Sequence, residues 1–182
     1  LSIRTMFAKR WNGTTWVQIG TYPSRGSVNG LALDSFNNAI VMRTTEGGTL
    51  AYRYITGGWQ PLASPLDNTL TNPANYSSIA RTSNNRPIVA WQENVSATDR
   101  DVFVKSWTGA GWANLGRVDR VSTNPARVPS IAVGTDNRPV VAWGETSFEG
   151  TYKYDIFVSR WNGSVWTPLG SRLSSVRSDE WP

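Results

Sequence analysis

The sequence predicts an all-β fold built from repeated four-stranded antiparallel units, and three observations support this prediction. First, a short pattern occurs four times: an aromatic residue, a Trp five positions later, then Leu or Ile, then Gly or Ala. Its copies are Arg10–Gly20, Arg53–Ala63, Ser106–Gly116 and Arg160–Gly170. Second, a different pattern of alternating apolar residues around a polar turn occurs three times between them. Third, no window shows sustained helical periodicity, because Gly and Pro interrupt every candidate.

The first pattern is typical of a β-hairpin. In two copies the turn is Asn-Gly, at Asn12-Gly13 and Asn162-Gly163. Both central residues of a type I′ turn have positive φ, and Asn-Gly accepts this conformation better than other pairs. We therefore expect antiparallel strands on either side of each turn. The predicted strands are Ser2–Trp11 and Thr14–Ile19 in the first copy, and Tyr154–Trp161 and Val165–Leu169 in the last.

The second pattern predicts another hairpin, made of a short alternating strand, a polar turn and an apolar strand. Its copies are Gly30–Gly47, Ser78–Glu93 and Ser130–Glu145. Pro87 and Pro139 stand at the start of the second strand, one of the few places where a sheet accepts proline. In the last copy the two strands are expected at Ser130–Val133 and Pro139–Glu145.

Four short strands in each repeat of about 43 to 54 residues, with Trp at fixed positions, are typical of β-propeller blades. A single blade has two apolar faces and can bury neither alone. We expect one partial propeller of about three and a half blades over residues 1–182: an outer half-blade and loop (1–29) and blades at 30–77, 78–129 and 130–182. Because two outer strands cannot close a ring, we expect further blades, from sequence outside this chain or from a homo-oligomer.

Composition excludes several classes of function. The chain has neither Cys nor His, which excludes disulfides, thiolate metal sites and every His-dependent catalytic arrangement. The formal net charge is +5, but the basic residues are scattered singly, so no nucleic acid partner is expected. No apolar run approaches the ~20 residues of a membrane-spanning helix. We expect no membrane span, no cofactor and no bound metal, although Asn94–Asp101 contains several oxygen ligands without EF-hand spacing.

The repeat resembles that of bacterial exported β-propellers of the sialidase-like kind and, more loosely, that of propeller lectins. The matching segments are Pro129–Trp143 and Trp161–Gly170. In sialidases the Asp-box has the form Ser-x-Asp-x-Gly-x-x-Trp, which no turn of this chain matches. The arginine triad and the Tyr/Glu nucleophile of a sialidase are not identifiable residue by residue, so no catalytic residue is carried over. The resemblance implies a secreted or cell-surface protein of lectin-like, carbohydrate-binding character.

The predicted ligand site combines Trp, a nearby carboxylate and Arg, because sugars are bound by stacking together with charge-assisted hydrogen bonds. The loop Glu145–Asp155 adds aromatic residues, and variable loops on a rigid scaffold often determine specificity. The predicted ligand-binding residues are Arg86, Trp91, Glu93, Arg138, Trp143, Glu145, Phe148 and Tyr152. The alternative interpretation is structural: Trp packing at the blade edge, solvated Glu side chains, and arginines bound to turn carbonyls.

The leading hypothesis is a non-catalytic extracellular or cell-surface module that binds a glycan or a cell-surface polymer. One alternative is a sialidase-type glycoside hydrolase fragment, in which Glu145, Glu149 and Asp155 would supply the paired carboxylates. The other is a structural module of a surface layer or filament without a small ligand.

Overall fold

All regular structure in the described part of the chain is β-strand. A computed structural model describes residues 7–21, 27–45, 48–63, 66–68, 74–120, 123–146 and 154–173. The strands are β1 (Phe7–Trp11), β2 (Trp16–Thr21), β3 (Ser27–Leu33), β4 (Ala39–Thr45), β5 (Gly48–Ile55), β6 (Gly58–Pro61), β7 (Asn75–Arg81), β8 (Pro87–Asn94), β9 (Arg100–Trp107), β10 (Trp112–Arg117), β11 (Ala126–Val133), β12 (Pro139–Thr146), β13 (Tyr154–Trp161) and β14 (Trp166–Pro168).

These strands form one two-stranded and three four-stranded sheets, each with its strands in sequence order. We call them the half-sheet (β1–β2), sheet 1 (β3–β6), sheet 2 (β7–β10) and sheet 3 (β11–β14). Every neighbouring pair is antiparallel. The architecture is that of a partial β-propeller whose ring is not closed, which confirms the predicted fold class.

The innermost strand of each sheet begins earlier than the alternating pattern indicates. In sheet 3 it begins at Ala126 instead of Ser130, because a β-bulge between Arg127 and Ser130 interrupts the alternation without ending the strand. Sheet 2 has the equivalent irregularity between Asn75 and Ser78. Tyr76 and Val128, one in each bulge, both have a φ of 48°. An extra residue shifts the side-chain period, so alternation alone could not extend the strand through the bulge.

Stacking of the sheets creates two main cores, and each central strand contributes alternate residues to opposite sides. In β8, Val89 and Trp91 pack against sheet 1, whereas Ile88 and Ala90 pack against sheet 3. Sheet 3 contributes residues such as Trp143 to the second core. Both faces of sheet 2 are therefore apolar, as expected for a sheet packed between two others.

The Trp residues that recur in the outer strands tie each sheet to the one before it. Trp112 Nε1 donates to the carbonyl oxygen of Leu62 at 2.8 Å, and Trp166 Nε1 donates to that of Leu115 at 2.9 Å. Leu62 directly follows the outermost strand of sheet 1, and Leu115 lies within the outermost strand of sheet 2. The fixed spacing of these Trp residues thus has a structural cause, since a buried indole N–H needs a hydrogen-bond partner.

A ladder of turn asparagines also connects successive sheets. Asn37, Asn85 and Asn137 occupy the equivalent left-handed position of the innermost hairpins, with φ of 59°, 68° and 62°. The side-chain oxygen of Asn85 accepts a hydrogen bond from the backbone N–H of Ser35 at 2.6 Å, and that of Asn137 accepts one from Ser83 at 2.6 Å. The asparagines therefore both permit the turn and link neighbouring turns.

We expect Asn137→Gly to lower the free energy of unfolding by about 1 kcal/mol beyond the effect of the same change at Asn37. Glycine accepts the positive φ at either position but lacks the side-chain oxygen. Of these two residues, Asn137 receives a hydrogen bond from the preceding turn, and Asn37 receives none from the described residues. Urea denaturation followed by circular dichroism measures both values, and an equal loss in the two variants would contradict a linking role for Asn137.

Candidate functional site

The two predicted Trp–Glu pairs are buried and hydrogen-bonded. Trp91 Nε1 donates to Glu93 Oε2 at 3.0 Å, and Trp143 Nε1 donates to Glu145 Oε2 at 3.0 Å. All four side chains are almost fully buried. A spacing of two residues in a strand places both members of a pair on the same face, which allows this contact.

The same glutamates bind the loops that follow the preceding sheets. Glu93 Oε2 accepts a hydrogen bond from the backbone N–H of Asn68 at 3.1 Å, and Glu145 Oε2 accepts one from that of Arg120 at 3.1 Å. Each carboxylate thus receives an indole N–H and a backbone N–H inside the protein. The glutamates are buried rather than solvated, and they fix the positions of these two loops.

The predicted arginines do not lie near the Trp–Glu pairs. Arg86 directly precedes β8, whereas Glu93 lies near its other end, and seven residues of extended strand span roughly 23 Å. Arg138 precedes β12 in the same way, and its Nε lies 3.7 Å from Asp136 Oδ2. Phe148 and Tyr152, together with Glu149, lie outside the described residues.

Other cations approach the Trp–Glu pairs, and sequence reasoning missed them. Lys105 Nζ lies 5.4 Å from the centre of the Trp91 ring and donates to the carbonyl oxygen of Leu66 at 2.5 Å. Burial lowers the pKa of Lys105, while the charges of Glu93 and Asp67 act in the opposite direction. Lys105 fills the space between sheets 1 and 2. The only sequence signal was a Lys in β9 at a position where the alternating pattern has inward-facing residues.

The position equivalent to Lys105 differs among the three four-stranded sheets. Cross-strand pairing aligns Tyr52 in sheet 1, Lys105 in sheet 2 and Ser159 in sheet 3, opposite Val41, Val89 and Val141. Ser159 is only 2% exposed, yet its side chain is far smaller than the other two. A cleft of about 460 Å³ therefore opens beside it between sheets 2 and 3. We call it the Ser159 cleft; its other lining residues are Leu115, Arg117, Val118, Asp119, Arg120, Trp161, Ser164, Val165, Trp166 and Pro168.

The wall of the Ser159 cleft is charged. Arg117 lies between two carboxylates, with Nη1 at 3.3 Å from Asp101 Oδ2 and Nε at 3.5 Å from Asp119 Oδ2. Asp119 Oδ1 accepts a hydrogen bond from the backbone N–H of Val102 at 2.9 Å. Burial raises the pKa of Asp119 to about 7 and also raises that of Asp101, although Arg117 counteracts both shifts.

Aromatic rings complete the cleft. Trp161 and Trp166 line it from sheet 3, and their ring centres lie 5.4 Å apart with an interplanar angle of 59°. The guanidinium of Arg120, another lining residue, lies 5.0 Å from the centre of the Phe157 ring. The cleft thus combines half-buried indole faces with guanidinium and carboxyl groups.

Two further features concern predicted absences. Within the described ranges, no group of three or more acidic residues is arranged to hold a metal ion. In the same part of the chain, no helix has the length and apolar character needed to cross a bilayer.

Comparison with known proteins identifies similar structures but no sequence family. No protein-family model matches the chain, and no curated protein matches it in sequence. It is similar in structure to a polysaccharide lyase, an ulvan lyase (TM-score 0.66, 14% identity, 91% of this chain, 48% of that one). It is also similar to the α-L-arabinanase of Penicillium chrysogenum solved with arabinobiose (TM-score 0.61, 15% identity, 94% and 59%).

A third similar structure is a protein of unknown function from Dyadobacter fermentans (TM-score 0.63, 13% identity, 88% of this chain and 56% of that one). The chain therefore spans about half the length of these proteins. At such low identities the similarity establishes the fold and leaves the ligand open. The structural comparison and the stacked sheets agree that this chain is a partial β-propeller.

Proposed function

We propose that the protein is a non-catalytic carbohydrate-binding module and that the Ser159 cleft is its ligand site. The observation on which this proposal rests is the break in the repeat at one position. Lys105 and Tyr52 have large side chains at the position where sheet 3 has Ser159. A cleft formed where the repeat changes is better suited to a specific role than features repeated in every sheet.

The chemistry of the cleft suits a sugar. A pyranose presents an apolar face that packs on an aromatic ring and hydroxyl groups that bind charged side chains. Trp161 and Trp166 offer ring surface, and Arg117, whose side chain is partly exposed, offers hydrogen-bond donors in the same wall. The volume of about 460 Å³ lies within the usual range for small-molecule sites.

The comparisons support the same ligand class. Two of the similar structures are named as an ulvan lyase and an arabinanase, and the second contains arabinobiose. We extend to this chain only the glycan-related character of these proteins. We further propose a glycan or cell-surface polymer as its partner, an extracellular or cell-surface location, and a bacterial sialidase-like origin of the repeat, with the ring completed by further blades.

Ser159→Lys tests the site by introducing the residue that fills the equivalent position of sheet 2. We expect the dissociation constant for a glycan identified on an array to rise at least about tenfold, because the lysine would occupy the cleft. The fold should tolerate the change. At the equivalent position of sheet 2, Lys105 donates to the carbonyl oxygen of Leu66. Val118 is the residue equivalent to Leu66 after sheet 2, so its carbonyl oxygen could accept from the introduced lysine in the same way.

Lys105→Ala is the matched control, because it removes the lysine between sheets 1 and 2 and leaves the Ser159 cleft unchanged. Binding should persist in this variant. Isothermal titration measures the affinities, and thermal denaturation reports whether each variant is folded. Unchanged binding in folded Ser159→Lys would exclude the cleft as the site, and a wild-type array without signal would contradict the function itself.

One observation favours the glycoside hydrolase alternative. Asp119 has a pKa of about 7, which suits a general acid, and Arg117 connects it to the second carboxylate of Asp101. Turnover of a fluorogenic glycoside that is lost in Asp119→Asn would support this alternative over simple binding. Assembly into filaments without glycan binding would instead support the structural alternative.

A further inference from the structure

Sheet 1 exposes apolar residues that the other sheets cover. Leu31 and Leu33 of β3 are 64% and 51% exposed. Strand pairing places Ile79 and Ile131 at the positions equivalent to Leu31. Ile131 is 7% exposed, and Ile79 packs against the core between sheets 1 and 2. The same position is therefore covered in sheets 2 and 3 and uncovered in sheet 1.

The innermost strand of the preceding sheet provides this cover. A Cβ atom at Gly30 would lie 3.1 Å from Ile79 Cγ2, so Ile79 packs directly on the backbone of β3. One sheet further, the backbone N–H of Ile131 donates to Ser78 Oγ at 3.2 Å. Gly30 and Ser78 are equivalent residues, both small. Each isoleucine thus needs an inner strand with a small residue at this point.

The half-sheet presents no such inner strand in the part of the chain that the structure describes. Strand β1 pairs with β2 alone, whereas its counterparts β5, β9 and β13 each pair along both edges. A groove of about 530 Å³ lies between the half-sheet and sheet 1. Ala8, Trp16, Leu31, Leu33 and Val41 are among its lining residues.

The asparagine ladder has an open end at the same groove. Asn85 and Asn137 each accept a hydrogen bond from the turn of the preceding inner hairpin. Asn37 has the same left-handed conformation and lines the groove, and within the described ranges no N–H group donates to its side-chain oxygen. Among the described residues, three contacts are therefore missing at this groove. No strand pairs with the free edge of β1, no small residue covers Leu31, and no turn N–H donates to Asn37.

We propose that this groove binds an inner β-hairpin of the same repeat, which the described part of the chain does not itself supply. The second strand of that hairpin pairs with the uncovered edge of β1. Its first strand covers Leu31 with a small residue, and its turn donates a backbone N–H to Asn37. At the interfaces between sheets 1 and 2 and between sheets 2 and 3, an inner hairpin already makes all three contacts. This proposal concerns a different surface from the Ser159 cleft and does not depend on glycan binding.

The test uses a peptide with the sequence Ser130–Glu145, closed by a disulfide between added terminal cysteines and labelled with a fluorophore. An isolated two-stranded hairpin is marginally stable in water, so closure limits the ordering cost of binding. The protein has no cysteine that could exchange with the disulfide. Fluorescence anisotropy should show saturable binding at a ratio of one to one, and a scrambled peptide should not bind.

Variants of the protein locate the bound peptide. Leu31→Asp should weaken binding at least about tenfold, because the charge would be buried under the peptide. Asn37→Gly should weaken it about three- to tenfold through the loss of one hydrogen bond. Both residues are exposed in the chain alone, so the fold should be retained. Val95→Asp changes an exposed apolar residue away from the groove and should leave the affinity unchanged.

A change in the peptide tests the requirement for a small residue. Replacement of Ser130 by Trp in the peptide should abolish binding. Absence of saturable binding, equal binding by Leu31→Asp, or equal binding of the Ser130→Trp peptide would each overturn the proposal. Sedimentation velocity provides the remaining outcome. Self-association that Leu31→Asp abolishes, without peptide binding, would show that a second copy covers the groove through a different contact and would also overturn it.

Discussion

Trp143→Ala is expected to lower the free energy of unfolding by about 3–5 kcal/mol. The Trp143 side chain is 1% exposed in the core between sheets 2 and 3, and its ring centre lies 6.0 Å from that of Phe157. Its removal would leave a cavity and would also take away the indole N–H that binds Glu145. Guanidinium denaturation followed by circular dichroism measures the loss.

Trp16→Ala is the matched control, because it removes the same side chain at an exposed position. We expect a loss of at most about 1 kcal/mol there, since little apolar area leaves the core. Glu145→Gln should also be mild, because the amide oxygen can still accept from Trp143 and from Arg120. Equal losses in the two Trp variants would contradict the central position of Trp143. That Trp143 contacts a ligand stays a prediction, for which Trp143→Phe is the better probe.

The free energy of unfolding is expected to fall as the pH rises from about 4 to 7. Burial raises the pKa of Asp119 from the ordinary 3.8 to about 7. Between these values the folded protein holds a proton that the unfolded chain has lost, so rising pH favours unfolding. At about 1.4 kcal/mol for each pH unit, the loss amounts to about 2–4 kcal/mol. The raised pKa values of Asp67 and Asp101 act in the same direction.

Asp119→Asn separates this residue from the other acids. Asparagine can still accept the hydrogen bond from the backbone N–H of Val102 but does not titrate. We expect the difference in unfolding free energy between pH 5 and pH 8 to be clearly smaller in the variant than in the wild type. Urea denaturation at pH 5 and pH 8 gives the unfolding free energies of both proteins. An unchanged difference would show that Asp119 is charged in the folded protein throughout this range.

Much of the fold follows from local sequence. The predicted strand Tyr154–Trp161 agrees with the structure, but the type I′ turn predicted at Asn162-Gly163 was wrong. Trp161 pairs with Trp166 across four residues, and Gly163 has a positive φ whereas Asn162 does not. Turns and strand alternation depend on residues that are close in sequence, so a short stretch of chain is enough to predict them. The bulge before Ser130 was missed because the extra residue breaks the alternation on which the prediction depends.

The candidate site was only partly predictable. Trp and Glu two residues apart do form pairs, but Arg86 and Arg138 lie at the other ends of the same strands. A strand separates residues by about 3.3 Å each, so sequence neighbours of a motif can be distant in space. Lys105, the cation beside Trp91, and Arg120, whose backbone N–H binds Glu145, come from other parts of the chain.

By itself, the sequence determined the repeat, its hairpins and the apolar character of both sheet faces, because these depend on neighbouring residues. Tertiary structure alone decided where the molecule is open. Ser159 produces a cleft only because Arg117 and Asp119 of the preceding sheet lie beside it, and Leu31 is uncovered only because no inner strand of the described chain packs on it. Whether a small or apolar residue is covered depends on the sheet stacked against it, which no single repeat encodes.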